Sequence, residues 1–134
     1  MAIAERSGLP VALWVTSASP HEVTLVEQTL DHRLTAEQPQ RMIGDKAYDS
    51  DQLDQRLLEQ RDIEMIAPHR RQRNRRIVTQ DGRPLRRYLR RWKVERLFAW
   101  LHNFRRVVTR WDYYLENYLG FLQLACTIIL LRHF

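Results

Sequence analysis

The first apolar positions of the chain form two short runs on either side of a polar turn. Residues 1–4 and 11–15 are nearly continuous apolar stretches, and the second contains the β-branched and aromatic side chains typical of a buried strand. Between them, Glu5 to Gly8 supplies turn-forming residues. This pattern predicts a hairpin at the start of the chain.

A helical spacing of apolar residues follows the second run. Val23, Val26, Leu30 and Leu34 recur at the intervals that place side chains on one helical face. The preceding segment Ser19–Glu22 fits a capping box with proline at the first helical position. We therefore predict a helix from about residue 20 to residue 34.

A strand, a helix and a strand are predicted next. Met42 and Ile43 form a short apolar strand, Ser50 can cap a helix over about 51–61, and 63–67 is a second apolar strand that ends at Pro68. The leucines of that helix are expected to face inward: Leu53, Leu57 and Leu58. This order of elements favours an α/β sheet, in which Asp45 lies just past the end of a strand, where functional side chains collect.

Two helices are predicted in the last third of the chain. The stretch 83–104 has proline in its first turn and no glycine or proline in its interior, which favours one continuous helix. From position 94 onward its apolar residues share one face that can enter a core: Val94, Leu97, Trp100, Leu101 and Phe104. Residues 116–134 are predicted to form an apolar helix that packs against this face and the sheet.

Positive charge is concentrated in one part of the chain. Residues 70–110 contain fourteen Arg and one Lys against two acids, a balance of +13, while the other residues, seven basic and fourteen acidic, carry −7. Twenty of the twenty-two basic residues are Arg, the side chain suited to bidentate phosphate contacts. Nucleic acid is the implied partner, and a solvated charged surface is the alternative. The Arg-rich stretch at about 69–83 is predicted to be a mobile linker.

The remaining composition indicates a cytoplasmic chain. Cys126, which is the only cysteine, lies in an apolar run and is expected in the core. The first residues lack the apolar segment of a signal peptide. The longest apolar run, Leu119–Leu131, is too short to cross a bilayer, so no membrane partner is expected.

Four polar residues share one stripe of the helix predicted over 83–104. At about 100° per residue, Tyr88, Arg91 and His102 fall within about 40° of Glu95. Taken alone, Glu95 is best explained as a surface residue that pairs weakly with arginines nearby. The spacing Tyr-x2-Arg-x3-Glu-x6-basic and the sequence Arg-Arg-Trp-Lys-Val-Glu-Arg-Leu-Phe-Ala-Trp-Leu around it, however, resemble the insertion-sequence transposases of the DDE class.

This resemblance implies roles for the four residues. In that family the glutamate completes a metal-binding acidic triad on an RNase H-like fold, which implies a catalytic role for Glu95. The family's Tyr and Arg hold the DNA backbone near the cut, which implies the same for Tyr88 and Arg91. The family usually has Lys where this chain has His102, and a neutral imidazole would make a weaker phosphate contact.

Three aspartates compete for the place of the second acid. From the residues alone, Asp45, Asp49 and Asp51 are each best explained as turn or cap residues, and the dipole at a helix start accounts well for Asp51. The segment Gly44-Asp-Lys-Ala-Tyr-Asp-Ser50 resembles the family segment that carries the second acid. The resemblance therefore assigns that acid to Asp45 and leaves the other two as structural companions.

The resemblance also implies a cofactor and a DNA-binding surface. Asp45 and Glu95 would be both catalytic residues and ligands of Mg²⁺ or Mn²⁺, which prefer oxygen ligands and stabilise the attacking and leaving oxygens of phosphodiester chemistry. The residues expected to contact DNA at the transposon ends are Tyr88, Arg91, His102, Arg87, Arg90, Lys93, Arg105 and Arg106.

Residues 1–134 correspond to the later part of the family's catalytic domain. The implied fold is α/β: a truncated RNase H-like fold with a mixed sheet that lacks its first strand and with C-terminal helices. The family's first Asp lies on that upstream strand, and no Asp occurs in the first thirty residues here. We therefore expect a single-domain fragment, from a decayed or a split element, that binds DNA but does not cleave or join it in isolation.

Two partners besides DNA are expected, and one alternative function stays open. An upstream transposase segment would join the chain if the element is split, and a second copy could pair with an exposed sheet edge. The alternative is a sequence-tolerant nucleic-acid-binding module without catalytic activity.

Overall fold

A computed structural model describes residues 1–69, 86–89 and 92–133 of the chain. The chain divides into two compact units, of which the first comprises Met1–Ala36 and Trp92–Phe134 and the second comprises Glu37–Arg91. The first unit is thus formed by the two ends of the chain. The sequence predicts one domain and gives no signal of this division, because the contacts that define the first unit join residues far apart in sequence.

The predicted hairpin is confirmed. Strand β1 (Ala2–Ala4) pairs antiparallel with strand β2 (Pro10–Leu13), and the register shifts between Ile3 and Ala4. Gly8 in the turn has a φ of 94°, a conformation that side chains other than glycine rarely adopt. A methyl group on Gly8 would also lie 3.0 Å from Cδ of Arg96, so the turn packs closely on a later part of the same unit.

Helix α1 (Glu22–Asp31) confirms the predicted helix, but its predicted start is wrong. The N-cap is His21, whose backbone is extended and whose side chain makes no capping hydrogen bond. Thr24 Oγ1 donates instead to the His21 carbonyl at 2.7 Å. The extended conformation at His21 delays the first helical turn, so Ser19 lies too far upstream to cap it. Val26 and Leu30 are fully buried on the inner face.

The second unit contains the predicted strand, helix and strand. Strand β3 (Arg41–Ile43) leads into a 3-10 turn (Lys46–Tyr48), then helix α2 (Asp51–Arg61) and strand β4 (Glu64–Ile66). The strands β3 and β4 are parallel, with Met42 opposite Met65. Ser50 Oγ accepts a hydrogen bond from Leu53 N at 3.3 Å, which confirms the predicted cap.

The inward face of α2 is narrower than predicted. Leu53 and Leu57 are fully buried, whereas Leu58 is 57% exposed. Since adjacent residues point about 100° apart on a helix, Leu58 cannot share the inner face with its neighbour Leu57. The prediction that Leu58 faces inward is therefore wrong.

Three helices close the first unit: α3 (Lys93–Leu101), α4 (Arg105–Val108) and α5 (Leu115–Leu131). The predicted helix over 83–104 ends earlier than expected. Asn103 N donates to Trp100 O and Phe104 N to Leu101 O, and these short-range bonds tighten the last turn until Phe104 leaves it in an extended conformation. Upstream, 86–88 are helical, and Arg90 and Arg91 lie outside the described residues.

The core of the first unit confirms the predicted apolar face. Its buried residues come from β2, α3, α4 and α5, and they are Leu13, Leu97, Leu101, Val107, Ala125, Cys126 and Ile129. Burial raises the pKa of the Cys126 thiol to about 11. No helix within the described ranges has both the length and the hydrophobicity needed to cross a membrane.

The described strands form two small sheets, one in each unit, where the sequence predicted one mixed sheet. The first is an antiparallel hairpin and the second a parallel pair joined through α2. The α/β class and the C-terminal helices are confirmed. The truncated RNase H-like arrangement stays a prediction.

Candidate functional site

Asp45 is an exposed acid at the end of a strand. It follows β3 and Gly44 directly, and it is the N-cap of the 3-10 turn, with Oδ1 accepting from Ala47 N at 2.7 Å. This bond fixes the orientation of the carboxylate. The location at the carboxyl end of a parallel strand is the one expected from the sequence.

Gly44 holds the turn that carries Asp45 against the sheet. Its N–H donates to the Ile66 carbonyl at 3.0 Å, which continues the parallel pairing by one residue. A methyl group on Gly44 would lie 2.5 Å from Cε of Met65 and 2.7 Å from Cδ2 of Tyr48. Only glycine therefore lets the Tyr48 ring pack over the strand end beside Asp45.

Asp49 and Asp51 have different environments from Asp45. The Asp49 side chain is 2% exposed, and its Oδ1 lies 2.8 Å from Nδ1 of His69. This pair joins the 3-10 turn to the segment after β4, a structural role. Asp51 begins α2, where the helix dipole favours an acid. Burial therefore sets Asp49 apart from Asp45 and Asp51, which are both exposed and able to meet a ligand in solvent.

Glu95 is held outward by the packing of α3. It lies in the first turn of the helix and is exposed, while Leu97 is fully buried and Leu101 is 5% exposed. Because the two leucines fix the rotation of the helix, the Glu95 carboxylate points to solvent. His102 follows the last residue of α3 in helical conformation and is also exposed, so two members of the predicted stripe are accessible in the first unit.

The other two members of the stripe are not in the first unit. Tyr88 is half-buried and lies in the second unit, in the short helical segment 86–88. Arg91 lies outside the described residues, as does Arg90. Asp45 likewise belongs to the second unit and Glu95 to the first, so the predicted metal site between them stays a prediction.

The described basic residues of the predicted DNA-binding set are mostly exposed. Arg87, Arg105 and Arg106 are exposed, and Lys93 is half-buried. The Lys93 Nζ lies 4.1 Å from the centre of the Trp92 ring. Most of the predicted linker at about 69–83 lies outside the described residues, although His69 itself is ordered against Asp49.

Arg96 is a residue that the predicted DNA-binding set did not contain. Its guanidinium carbon lies 5.1 Å from the centre of the Trp92 ring, and its NH1 donates to Ser7 O at 3.2 Å. Trp92 therefore has two cations close to its ring, a favourable cation–π arrangement. In the sequence, the only sign that Arg96 lies close to the hairpin turn is the glycine at position 8. That sign can be interpreted only once the fold is known, because Gly8 and Arg96 are far apart in the chain.

The aromatic residues after α4, whose sequence is compatible with either core packing or base stacking, are exposed. Trp111 is 77% exposed, Tyr113 is 88% exposed and Tyr114 is 63% exposed. Core packing is thereby excluded for these three side chains.

The donor chemistry of Asp45 and Glu95 fits a divalent cation. Both are exposed carboxylates, which are the oxygen ligands that Mg²⁺ and Mn²⁺ prefer. Within the described residues, no group of three or more His, Cys, Asp or Glu side chains is arranged as a metal site.

Comparison with known proteins gives a consistent result. The family model described as "Transposase DDE domain" matches residues 1–130. The chain is 32% identical over 137 aligned residues to a Burkholderia cepacia protein named "Putative transposase for insertion sequence element IS402". That match covers 95% of this chain and 59% of the relative, so the chain spans about three fifths of the relative's length. No solved structure gives a significant match.

Proposed function

The chain belongs to the DDE transposase family, and on that premise we propose that its 134 residues supply two acids, Asp45 and Glu95, to a site that cleaves and joins DNA. The observation that supports this proposal is the difference in exposure between two neighbouring residues of α3. Glu95 is exposed while Leu97, two residues later, is fully buried, so core packing presents the carboxylate to solvent.

The DNA partner is bound through the basic residues around Glu95. Lys93, His102, Arg105 and Arg106 flank it along α3 and α4, and three of these four side chains are exposed. Arg and Lys neutralise phosphates and release counterions, so affinity for DNA falls as salt rises. Transposon ends are the proposed target, because the relative is named as a transposase of an insertion sequence element.

Each side chain of the site has a separate task. Asp45 and Glu95 are the carboxylate ligands for Mg²⁺ or Mn²⁺, and a bound divalent cation would stabilise charge on the attacking and leaving oxygens. The hydrogen bond from Ala47 N orients the Asp45 carboxylate before a cation binds. Tyr88, Arg87, Arg90 and Arg91 hold the phosphate backbone beside the acids.

The third acid comes from a segment outside these 134 residues. A site with two metal ions needs ligands that contact both, so the ions would bind weakly to Asp45 and Glu95 alone. We therefore propose that the isolated 134 residues bind DNA without cleaving it. An upstream segment bearing the first Asp, on the same polypeptide or a separate one, completes the site, and a second copy of the chain is a further proposed partner.

Strand cleavage tests the proposal directly. The 134-residue chain and a protein in which it is joined to an upstream Asp-bearing segment, the joined protein, are incubated with labelled DNA ends and Mg²⁺. We expect cleavage by the joined protein only, and we expect Glu95→Gln to abolish it without changing DNA binding. Glu116→Gln is the matched control, because Glu116 is also an exposed acid in the first turn of a helix.

Three results would contradict the proposal. Robust Mg²⁺-dependent cleavage by the isolated 134 residues would mean that another acid of the chain acts as the third ligand. Equal activity of the Glu95→Gln and Glu116→Gln proteins would remove Glu95 from the site. A joined protein that binds DNA and never cleaves it would favour the non-catalytic binding module, which the family match disfavours.

A further inference from the structure

The segment between α4 and α5 exposes aromatic side chains that no part of the proposed site uses. Residues 110–114, the aromatic loop, contain Trp111, Tyr113 and Tyr114, which are 77%, 88% and 63% exposed. Large aromatic side chains dominate buried cores and interfaces because they remove much apolar surface from water. Three of them left in solvent within four positions therefore indicate a binding surface.

The aromatic loop is held in shape by its own hydrogen bonds. Arg110 donates from Nε to Asp112 O at 3.0 Å and from NH2 to Tyr113 O at 2.9 Å, which closes the loop on itself. Tyr118 at its far side donates to Val107 O at 2.8 Å and so joins α5 to α4. The Tyr113 and Tyr114 rings meet edge to face with centres 5.2 Å apart. The aromatic rings are thus presented on a fixed backbone.

The charge around the aromatic loop suits a polyanion. Arg105, Arg106 and Arg110 are exposed, and the loop contains one acid, Asp112. Asp112 is half-buried, and its Oδ2 is buried with no hydrogen-bond partner among the described residues. That oxygen is therefore withdrawn from solvent, whereas the arginines and the aromatic rings are exposed. A ligand that combines negative charge with flat apolar faces matches this surface.

We propose that the aromatic loop binds unpaired nucleotides, with bases stacked on Trp111 and Tyr113 and phosphates paired with the neighbouring arginines. Base pairs in a duplex are already stacked on each other, so their faces are available to a side chain only where the strands are separated. Aromatic stacking on single strands is tolerant of sequence because every base has a π face. This inference rests on the proposed function and adds single-stranded DNA to the substrates of the same chain.

Three probes separate stacking from phosphate binding. They are a fluorescent oligothymidylate of about 15 nucleotides, the same strand with abasic sites replacing its central nucleotides, and a duplex of equal length. The two single strands carry the same phosphate charge and the duplex about twice as much, but only the first probe offers unpaired bases throughout. We expect the full 134-residue chain to bind the oligothymidylate about tenfold more tightly than the abasic strand, from one to two stacked bases.

The variants remove the rings and keep the charge. Trp111→Ala/Tyr113→Ala should bring the oligothymidylate affinity down to that of the abasic strand, while the duplex affinity and the salt dependence stay unchanged. Trp111→Phe/Tyr113→Phe retains two aromatic rings and should keep most of the preference. Leu124→Ala is the matched control, because Leu124 is a 56% exposed apolar residue on α5 outside the loop, and it should change none of the affinities.

The fluorescence of Trp111 provides a second signal of stacking. Its fluorescence should be quenched by the oligothymidylate and much less by the abasic strand, and the quenching should be lost in Trp111→Phe.

The results that would overturn the inference are specific to the loop. Equal affinity of the wild-type chain for oligothymidylate and abasic strands would exclude stacking, yet duplex binding would still support the proposed function. Unchanged affinities in the double alanine variant would exclude the loop as the nucleic-acid site and favour a protein partner there. Failure of the wild-type chain to bind any of the three probes would contradict the proposed function itself.

Discussion

Replacing Gly44 with alanine should disturb the strand end that carries Asp45. An added methyl group would lie 2.5 Å from Cε of Met65, 2.7 Å from Cδ2 of Tyr48 and 2.9 Å from Cγ of Tyr48. Met65 Cε is the end of a flexible side chain and can move aside. The Tyr48 ring belongs to the 3-10 turn capped by Asp45, so its displacement shifts the acid as well.

The cost of this substitution is steric. Gly8 is the described glycine with a positive φ, and Gly44 has a backbone that alanine can adopt, so no conformational strain is added. Inserting a methyl group into a well-packed site typically costs about 1–3 kcal/mol. Because two Tyr48 ring atoms and one Met65 atom are in conflict, we expect Gly44→Ala to lower the free energy of unfolding by about 2 kcal/mol.

Gly120 offers the matched control for this experiment. It lies inside α5, and a methyl group there would meet nothing within 4 Å. Alanine favours a helix interior over glycine by about 0.5–1 kcal/mol, so Gly120→Ala should stabilise the protein. The same chemical change should thus have opposite signs at the two positions.

Urea unfolding followed by far-ultraviolet circular dichroism measures both effects. In the joined protein, Gly44→Ala should also reduce DNA cleavage, whereas Gly120→Ala should not. A Gly44→Ala protein as stable as the wild type would show that Tyr48 does not pack over this strand end. Normal cleavage by a destabilised Gly44→Ala protein would show that Asp45 is not part of the site.

Three further predictions concern individual side chains. Ser50→Ala should cost about 1 kcal/mol of stability by removing the α2 cap, measured by urea unfolding, and Ser50→Asp should not. Asp49→Asn, which weakens the buried contact with His69, should cost more stability than Asp45→Asn at an exposed cap; the reverse order in the same assay would contradict the roles assigned to the two acids. Burial raises the pKa of Cys126 from 9.0 to about 11, so the protonated thiol's contribution to stability is complete below pH 9 and is lost as pH rises towards 11. The urea midpoint of the wild type should therefore fall between pH 9 and pH 11, and that of Cys126→Ala should fall less over the same range, whatever the stability of the variant at neutral pH.

The local parts of the fold could be predicted from sequence because their causes are local. Ser50 and the leucines after it define α2, and the apolar spacing from Leu97 to Leu101 fixes which side of α3 is buried. The same spacing predicts the exposure of Glu95. The errors at Leu58 and Phe104 are also local, since Leu58 points about 100° away from its neighbour Leu57 and Phe104 follows one tightened turn.

The parts that could not be predicted depend on contacts distant in sequence. The sequence around Asp45 and Asp49 does not show that the first is exposed and the second is buried. Asp49 is buried in contact with His69, which lies twenty positions later in the chain. The first unit is formed by the two ends of the chain, and no change in composition along the sequence indicates that these ends pack together. The exposure of Trp111 is likewise decided by the packing of α4 and α5, since its own sequence is compatible with core or surface.

The central claim is that Asp45 and Glu95 bind the same divalent cation, and iron-mediated cleavage of the polypeptide tests it most directly. Fe²⁺ can replace Mg²⁺ or Mn²⁺ on carboxylate ligands, and the hydroxyl radicals it generates with ascorbate and peroxide cut the backbone near the ion. In the joined protein we predict cuts beside both Asp45 and Glu95, and both should disappear when either acid is replaced by its amide. Cuts beside only one of the two acids, or cuts at Asp49 that persist in the Asp45→Asn protein, would contradict a shared site.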